Sequence, residues 1–216
     1  MLWNAVTRQR ARELDLRGRG PADRGAYSND GRMFAAAISR GALMWDVVSG
    51  ELVREFNASV LPDDATERLF PLVFSPRGDL LAAASARGDV LLWDVASGKL
   101  ARTLSNPTPL SEKAKASVDL LFSRSGDRLA LAYFAYDHPP QPKIVIWKVA
   151  DGTIGQILAT APGDYYARDF QFSSDGRRII VAAHDGALRI HGVEAVPRPS
   201  AVVDGYWARA KARETE

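Results

Sequence analysis

The stretch FSPRGDLLAAASARGDVLLWDVASGKLARTL, residues 74–104, decides the fold. Ser75-Pro76-Arg77-Gly78 is a turn, because proline presets φ and glycine accepts the φ that other residues resist. The run Leu80 to Ala84 is continuously apolar and short, the pattern of a strand covered on both faces. Val90-Leu91-Leu92-Trp93 makes the next strand, and Asp94-Val95-Ala96-Ser97-Gly98 turns the chain into another, Leu100 to Leu104. Val73 and Phe74 end the strand before the first turn. The predicted unit is therefore a four-stranded antiparallel sheet with two apolar faces, which cannot bury both of them alone.

The same phrase recurs three more times. Residues 27–56 read YSNDGRMFAAAISRGALMWDVVSGELVREF, residues 122–158 read FSRSGDRLALAYFAYDHPPQPKIVIWKVADGTIGQIL, and residues 172–196 read FSSDGRRIIVAAHDGALRIHGVEAV. The turn glycines Gly31, Gly78, Gly126 and Gly176 are spaced by 47, 48 and 50 residues. A strand-rich period of this length predicts an array of sheets that cover one another's faces.

Trp45-Asp46, Trp93-Asp94 and Trp147-Lys148, each followed by a turn at Ser49-Gly50, Ser97-Gly98 or Asp151-Gly152, resemble the WD40 repeat. The resemblance spans about residues 27–196. It implies an all-β fold, a β-propeller of four-stranded antiparallel blades around a central channel, serving as a platform for partners. The chain departs from the family in several places. It has no Gly-His pair before the first strand, and Arg40 and Arg87 replace the loop Asp of the first two copies. Only the fourth copy keeps that residue, Asp185, and its Trp position holds His191. Packing, rather than the family's polar network, is expected to hold each blade.

Residues 2–16, LWNAVTRQRARELDL, align with residues 91–104, so the chain opens on a half-blade. The expected organisation is a propeller segment over 1–196, with the half-blade at 1–16 and blades at about 22–56, 69–104, 117–158 and 167–196. A tail or linker follows at 197–216. About four blades and a half fall short of the usual ring, so a piece of a longer protein is expected. Two other outcomes stay open. The half-blade completes the last copy, whose VPRPSAVV segment is a poor strand because of Pro197 and Pro199, or two chains join through their open apolar ends.

Composition fits a globular domain with a sizeable core: 216 residues, 46% hydrophobic and 25% charged. Neither an apolar run long enough to cross a membrane nor a secretory signal is visible, so a cytoplasmic location without membrane contact is expected. The chain has no cysteine, which excludes disulfides and thiolate chemistry. A formal charge of +2 is too even for a nucleic-acid footprint. Arginines cluster over residues 8–24 without interleaved aromatics, the pattern of a solvated strand and linker.

No catalytic constellation is legible. The three histidines are His138, His184 and His191, with His191 at a packing position. Metal-ligand spacing, a nucleophile elbow and a phosphate loop are all missing from the sequence, so no enzyme, metal or cofactor is predicted. Trp45, Trp93 and Trp147 recur as packing residues would, each burying on the order of 200 Å².

Antiparallel connectivity places the second-to-third loops and the sheet-to-sheet connections on one side. Recognition is expected there. The candidate partner-binding residues are Arg40 and Arg87 in equivalent loops, Tyr136, Asp137 and His138 in an insertion, Asp63, Asp64 and Arg68 in the first connection, and Tyr165, Tyr166 and Arg168 in the last. The expected function is a non-catalytic scaffold for an unidentified protein partner. The alternatives are a self-assembling half-propeller and a regulatory propeller of a kinase- or protease-type multidomain enzyme.

Overall fold

The structure, a computed structural model, describes residues 2–3, 10–18, 22, 24–38, 40–59, 69, 71–107, 116–135, 143–159, 167–183 and 186–193. These residues hold strands and no helix. β1 (Leu2–Trp3) and β2 (Arg10–Arg12) form a hairpin. The first full sheet is β3 (Gly25–Tyr27), β4 (Met33–Ile38), β5 (Gly41–Asp46) and β6 (Leu52–Asn57). The second is β7 (Leu72–Phe74), β8 (Leu80–Ala84), β9 (Val90–Asp94) and β10 (Leu100–Leu104). The third is β11 (Ala116–Phe122), β12 (Arg128–Ala135), β13 (Lys143–Lys148) and β14 (Ile154–Ala159). The fourth has three strands among the described residues, β15 (Ala167–Phe172), β16 (Arg178–Ala183) and β17 (Leu188–Gly192). Every pairing is antiparallel and sequential, so the chain is all-β, built from one sheet repeated.

The turn between first and second strands is the same in all four copies. The N–H groups of Gly31, Gly78, Gly126 and Gly176 donate to the carbonyls of Ser28, Ser75, Ser123 and Ser173 at 2.8–2.9 Å. Each of those serine hydroxyls also accepts the N–H at the start of the second strand, from Met33, Leu80, Arg128 and Arg178, at 2.9–3.1 Å. The hydroxyl then donates to a turn aspartate, Asp30, Asp79, Asp127 or Asp175. Ser75 and Ser123 are buried, so these bonds satisfy backbone groups that water does not reach. The serine bond is also the main reason the Asp30 and Asp175 carboxyls lie below the ordinary aspartate value. A polar network thus accompanies packing in every copy. Sequence reading anticipated packing alone, because this network uses turn residues and not the family's loop Asp.

The third-to-fourth hairpins are equally regular. Trp45 pairs with Leu52, Trp93 with Leu100 and Trp147 with Ile154, and a register shift follows in each case. The turn glycines Gly50, Gly98 and Gly152 sit at φ of 73°, 72° and 75°, a region closed to most side chains. At Gly152 space adds a second reason, since a Cβ there would lie 2.5 Å from Arg102 Cδ.

Packing runs from sheet to sheet. Ala35, Ala37, Ala42, Met44 and Phe56 of the first sheet pack on Leu81, Ala83, Leu91 and Trp93 of the second. Ala82, Ala84, Val90, Leu92 and Leu104 meet Leu129, Leu131, Val145 and Trp147 of the third. Ala130, Ala132, Ile144, Ile146 and Leu158 meet Phe170, Ile179 and Val181 of the fourth. The three tryptophans are at most 1% exposed, and each faces the preceding element. Trp93 Nε1 donates to the Asn57 carbonyl at 2.9 Å and Trp45 Nε1 to the Asp15 carbonyl at 3.3 Å. The side of the first sheet that carries Trp45 is covered in part by Leu14 and Leu16.

Two substitutions separate the buried network from its exposed rim. Ser123→Ala leaves the Arg128 N–H without its buried acceptor and is expected to cost about 1–3 kcal/mol in urea unfolding. Ser125→Ala, on the exposed side of the same turn, is expected to cost less than about 0.5 kcal/mol.

Candidate functional site

The first strand of each sheet places one residue at the same register position. Ala37 N–H donates to the Arg24 carbonyl and Ala84 N–H to the Pro71 carbonyl, while Asp119 pairs with Ala132 and Asp169 with Ala182. Ala37, Ala84, Ala132 and Ala182 are themselves equivalent along the second strands. Arg24, Pro71, Asp119 and Asp169 are therefore four copies of one site. β3 lies beside β7, and β7 beside β11, so these positions are brought near one another.

Their electrostatics bear this out. Asp119 keeps contact with solvent, yet partial burial raises its carboxyl above the ordinary aspartate value. The Leu120 N–H, donating at 3.0 Å, opposes the rise, the Asp169 carboxylate of the next sheet adds to it, and Arg24 from the first sheet opposes it. Two acids and a base from three sheets thus share one region, on the side where second strands end and third strands begin. Sequence reading missed all three. Their signal is positional, three residues before Tyr27, Phe122 and Phe172 in three of the four repeats, but nothing local marks the position as inward.

The residues singled out from sequence divide into two groups. Asp63, Asp64, Arg68, Tyr136, Asp137, His138, Tyr165, Tyr166 and Asp185 lie outside the described residues. Of the others, Arg40 is exposed in the tight turn between β4 and β5, and its carbonyl accepts the Ala58 N–H at 3.2 Å. Arg87 occupies the equivalent turn of the second sheet but is partly buried. There Asn106 donates through Nδ2 to the Arg87 carbonyl at 3.3 Å and through its N–H to Asp89 at 2.8 Å, which ties the turn to the segment after β10. Arg168, read from sequence as a loop residue, falls within β15, where the register shifts between Ala167 and Asp169. His191 pairs with Ile179 as Trp45 pairs with Phe34, Trp93 with Leu81 and Trp147 with Leu129.

On the opposite side, side chains of one sheet's turn bond to backbone carbonyls of the next. Asn29 Nδ2 donates to the Pro76 carbonyl at 2.7 Å, linking the turns of the first and second sheets, and the Arg128 guanidinium donates to the Gly176 carbonyl, linking the third and fourth. Further out, Arg102 donates to the Asp151 and Ala150 carbonyls at 2.9 and 3.1 Å, and Gln156 to the Gly192 carbonyl at 3.2 Å. These clamps hold neighbouring sheets in fixed relation. A cleft of about 370 Å³ lies between Asp15, Arg17, Trp45 and the Gly50-Glu51-Leu52 turn. Among the described residues, no group of three or more His, Asp or Glu is placed to hold a metal ion, and no helix is long and apolar enough to cross a membrane.

Because the folded-state value of Asp119 is raised, the folded protein binds this proton more tightly than the unfolded chain. Its contribution is most favourable below the unfolded value and is lost as pH rises through the folded one. Asp119→Asn keeps an acceptor for Leu120 and removes the charge. It is expected to raise Tm at pH 7, with the difference closing as pH falls through the carboxylate range near about pH 4. Thermal melts across that range check it.

No protein-family model matches the chain and no curated protein sequence matches it, so the reading of this face rests on its own geometry.

Proposed function

We propose that the chain is a WD40-like β-propeller segment acting as a non-catalytic platform for a protein partner, with the partner seated where the first strands converge. The observation that carries this reading is that the first strands adjoin one another, β3 beside β7 and β7 beside β11, with Asp119 within the electrostatic influence of Asp169 and Arg24. Sheets stacked in a straight pile would keep the first and third apart, whereas sheets arranged about an axis bring their first strands together. The distribution of side-chain size agrees. On the faces that meet the next sheet, the second strands carry alanine at Ala35, Ala37, Ala82, Ala84, Ala130 and Ala132, and the outer strands carry Phe56, Leu104 and Leu158. Sheets packed closer inside than outside form wedges, as blades do.

A platform needs a rigid base and a chemically varied face. The turn networks and the Arg102 and Gln156 clamps supply the base. The face supplies Asp119 and Asp169 for a basic side chain of the partner, with Arg24 for an acidic one and exposed Arg40 nearer the second-to-third turn. Fixed charges of both signs on a preformed surface favour specificity over bulk affinity.

Affinity capture from lysate of the source cells, followed by mass spectrometry, tests the reading with the tagged chain and its Asp119→Lys/Asp169→Lys variant. One protein retained by the wild type and weakened on the order of tenfold or more by the variant is expected, with cooperative melting in both. A partner retained equally by the variant overturns the placement on this face, and turnover of a substrate by the purified chain overturns the platform reading.

A further inference from the structure

We infer that the outer edge of the third sheet is a self-association surface, on which β14 of a second copy pairs antiparallel with β14 and joins two sheets into one. β14 is the last strand of its sheet, as β6 and β10 are of theirs, and among the described residues no strand pairs with its outer side. Such an edge turns the backbone N–H and C=O groups of alternate residues outward, and the partner that satisfies a row of them is another extended strand. The edge therefore sets the occupant's backbone, and the side chains beside it set the occupant's identity.

The three outer strands differ in the chemistry that keeps edges apart. β6 reads LVREFN and holds Arg54 and Glu55, and β10 reads LARTL and holds Arg102. β14 reads IGQILA and carries no charge. Charged side chains are a common guard against edge-to-edge pairing, and this strand lacks them. The register sharpens the contrast. Leu52, Leu100 and Ile154 each pair with a tryptophan, while Glu55, Thr103 and Ile157 pair with Leu43, Leu91 and Val145. Of the three strands, β14 alone is apolar at both positions, and there Ile154 and Ile157 are 42% and 45% exposed.

The two isoleucines share one side of the strand in spite of their odd spacing. The register shift inserts a residue between them, so their partners Trp147 and Val145 stand two apart and belong to the same core, the one shared with the second sheet. Gln156 pairs with Ile146, which packs in the core on the other side, and donates to the Gly192 carbonyl of the fourth sheet. Antiparallel pairing about a two-fold axis midway between Ile154 and Ile157 sets each of them opposite the other residue of the second copy, an isologous contact. All four isoleucines then meet on one side of the joined sheet, with no charge among them. In the same arrangement β6 would set Leu52 against Glu55, and β10 would set Leu100 against Thr103. This self-complementarity, confined to the uncharged strand, is what selects a second copy as the occupant. Six residues from each chain make a contact smaller than a standard interface, so the pair forms at high chain concentration.

Sedimentation equilibrium over chain concentrations from about 5 to about 500 µM tests the contact and its register. The wild type is expected to pass from one chain mass towards two across that range. Ile154→Lys/Ile157→Lys sets like charges opposite each other and is expected to weaken association by about tenfold or more. Ile154→Lys/Ile157→Glu sets opposite charges across the same two pairs and is expected to keep the dimer, now loosened by added salt. Val48→Asp, at an exposed turn site, is expected to leave association unchanged. A cooperative melt checks the fold of each variant, and Ile157→Lys alone replaces the double-lysine chain if that chain does not melt cooperatively. A wild type that stays monomeric throughout overturns the inference and leaves the edge to a strand of another protein or of the chain itself. So does a folded lysine variant that associates as the wild type does. Association lost as fully in Ile154→Lys/Ile157→Glu as in Ile154→Lys/Ile157→Lys overturns it too, since the two-fold register requires the two to differ.

Discussion

A sheet of this chain has two apolar faces, and everything else follows from the need to cover both. Leu81, Ala82, Ala83 and Ala84 are each fully buried, with alternate residues turned to different neighbours. Removing either neighbour would expose two of these side chains, together with those beside them on the same face, at about 25 cal/mol per Å². Stability is thus shared between adjacent sheets, and no sheet owns a core. The tryptophans are the largest element of that sharing, since each fills the space between its own sheet and the one before it.

Apolar contact alone would let sheets slide, because alanine and leucine faces offer little direction. Polar groups at the ends remove that freedom. Serine hydroxyls lock the first turns, glycines with positive φ hold the third-to-fourth turns, Arg102 pins β10 to the third sheet's turn, and Gln156 pins β14 to the end of β17. The same regularity brings Arg24, Pro71, Asp119 and Asp169 to equivalent places. A scaffold repeated so closely can vary one residue per sheet at that position, and charge varies there from positive to negative while the packing around it does not.

Much of the fold was legible because it is written in local chemistry. The glycine spacing, the apolar strand runs and the recurring Trp45, Trp93 and Trp147 all act within one repeat, so the sheets and their connectivity follow from reading one copy. His191 at a tryptophan position was legible for the same reason. The candidate site was not. Asp119 and Asp169 look like ordinary strand residues beside Val118 and Phe170, and their proximity to Arg24 depends on how whole sheets turn relative to one another. Arg87 went the other way: its equivalence to Arg40 was readable, but the bond that its carbonyl accepts comes from Asn106, nineteen residues later.

The sequence by itself determined the repeated antiparallel sheet, its turns and its apolar faces, since strand periodicity and turn chemistry operate over a few residues. The tertiary structure decided which faces are covered and which charges meet. Covering a face requires another sheet at a set distance and angle, and the desolvation and Coulomb fields at Asp119 come from residues about 50 and 95 positions away in the chain. No local pattern encodes those, because they exist only once neighbouring sheets have packed.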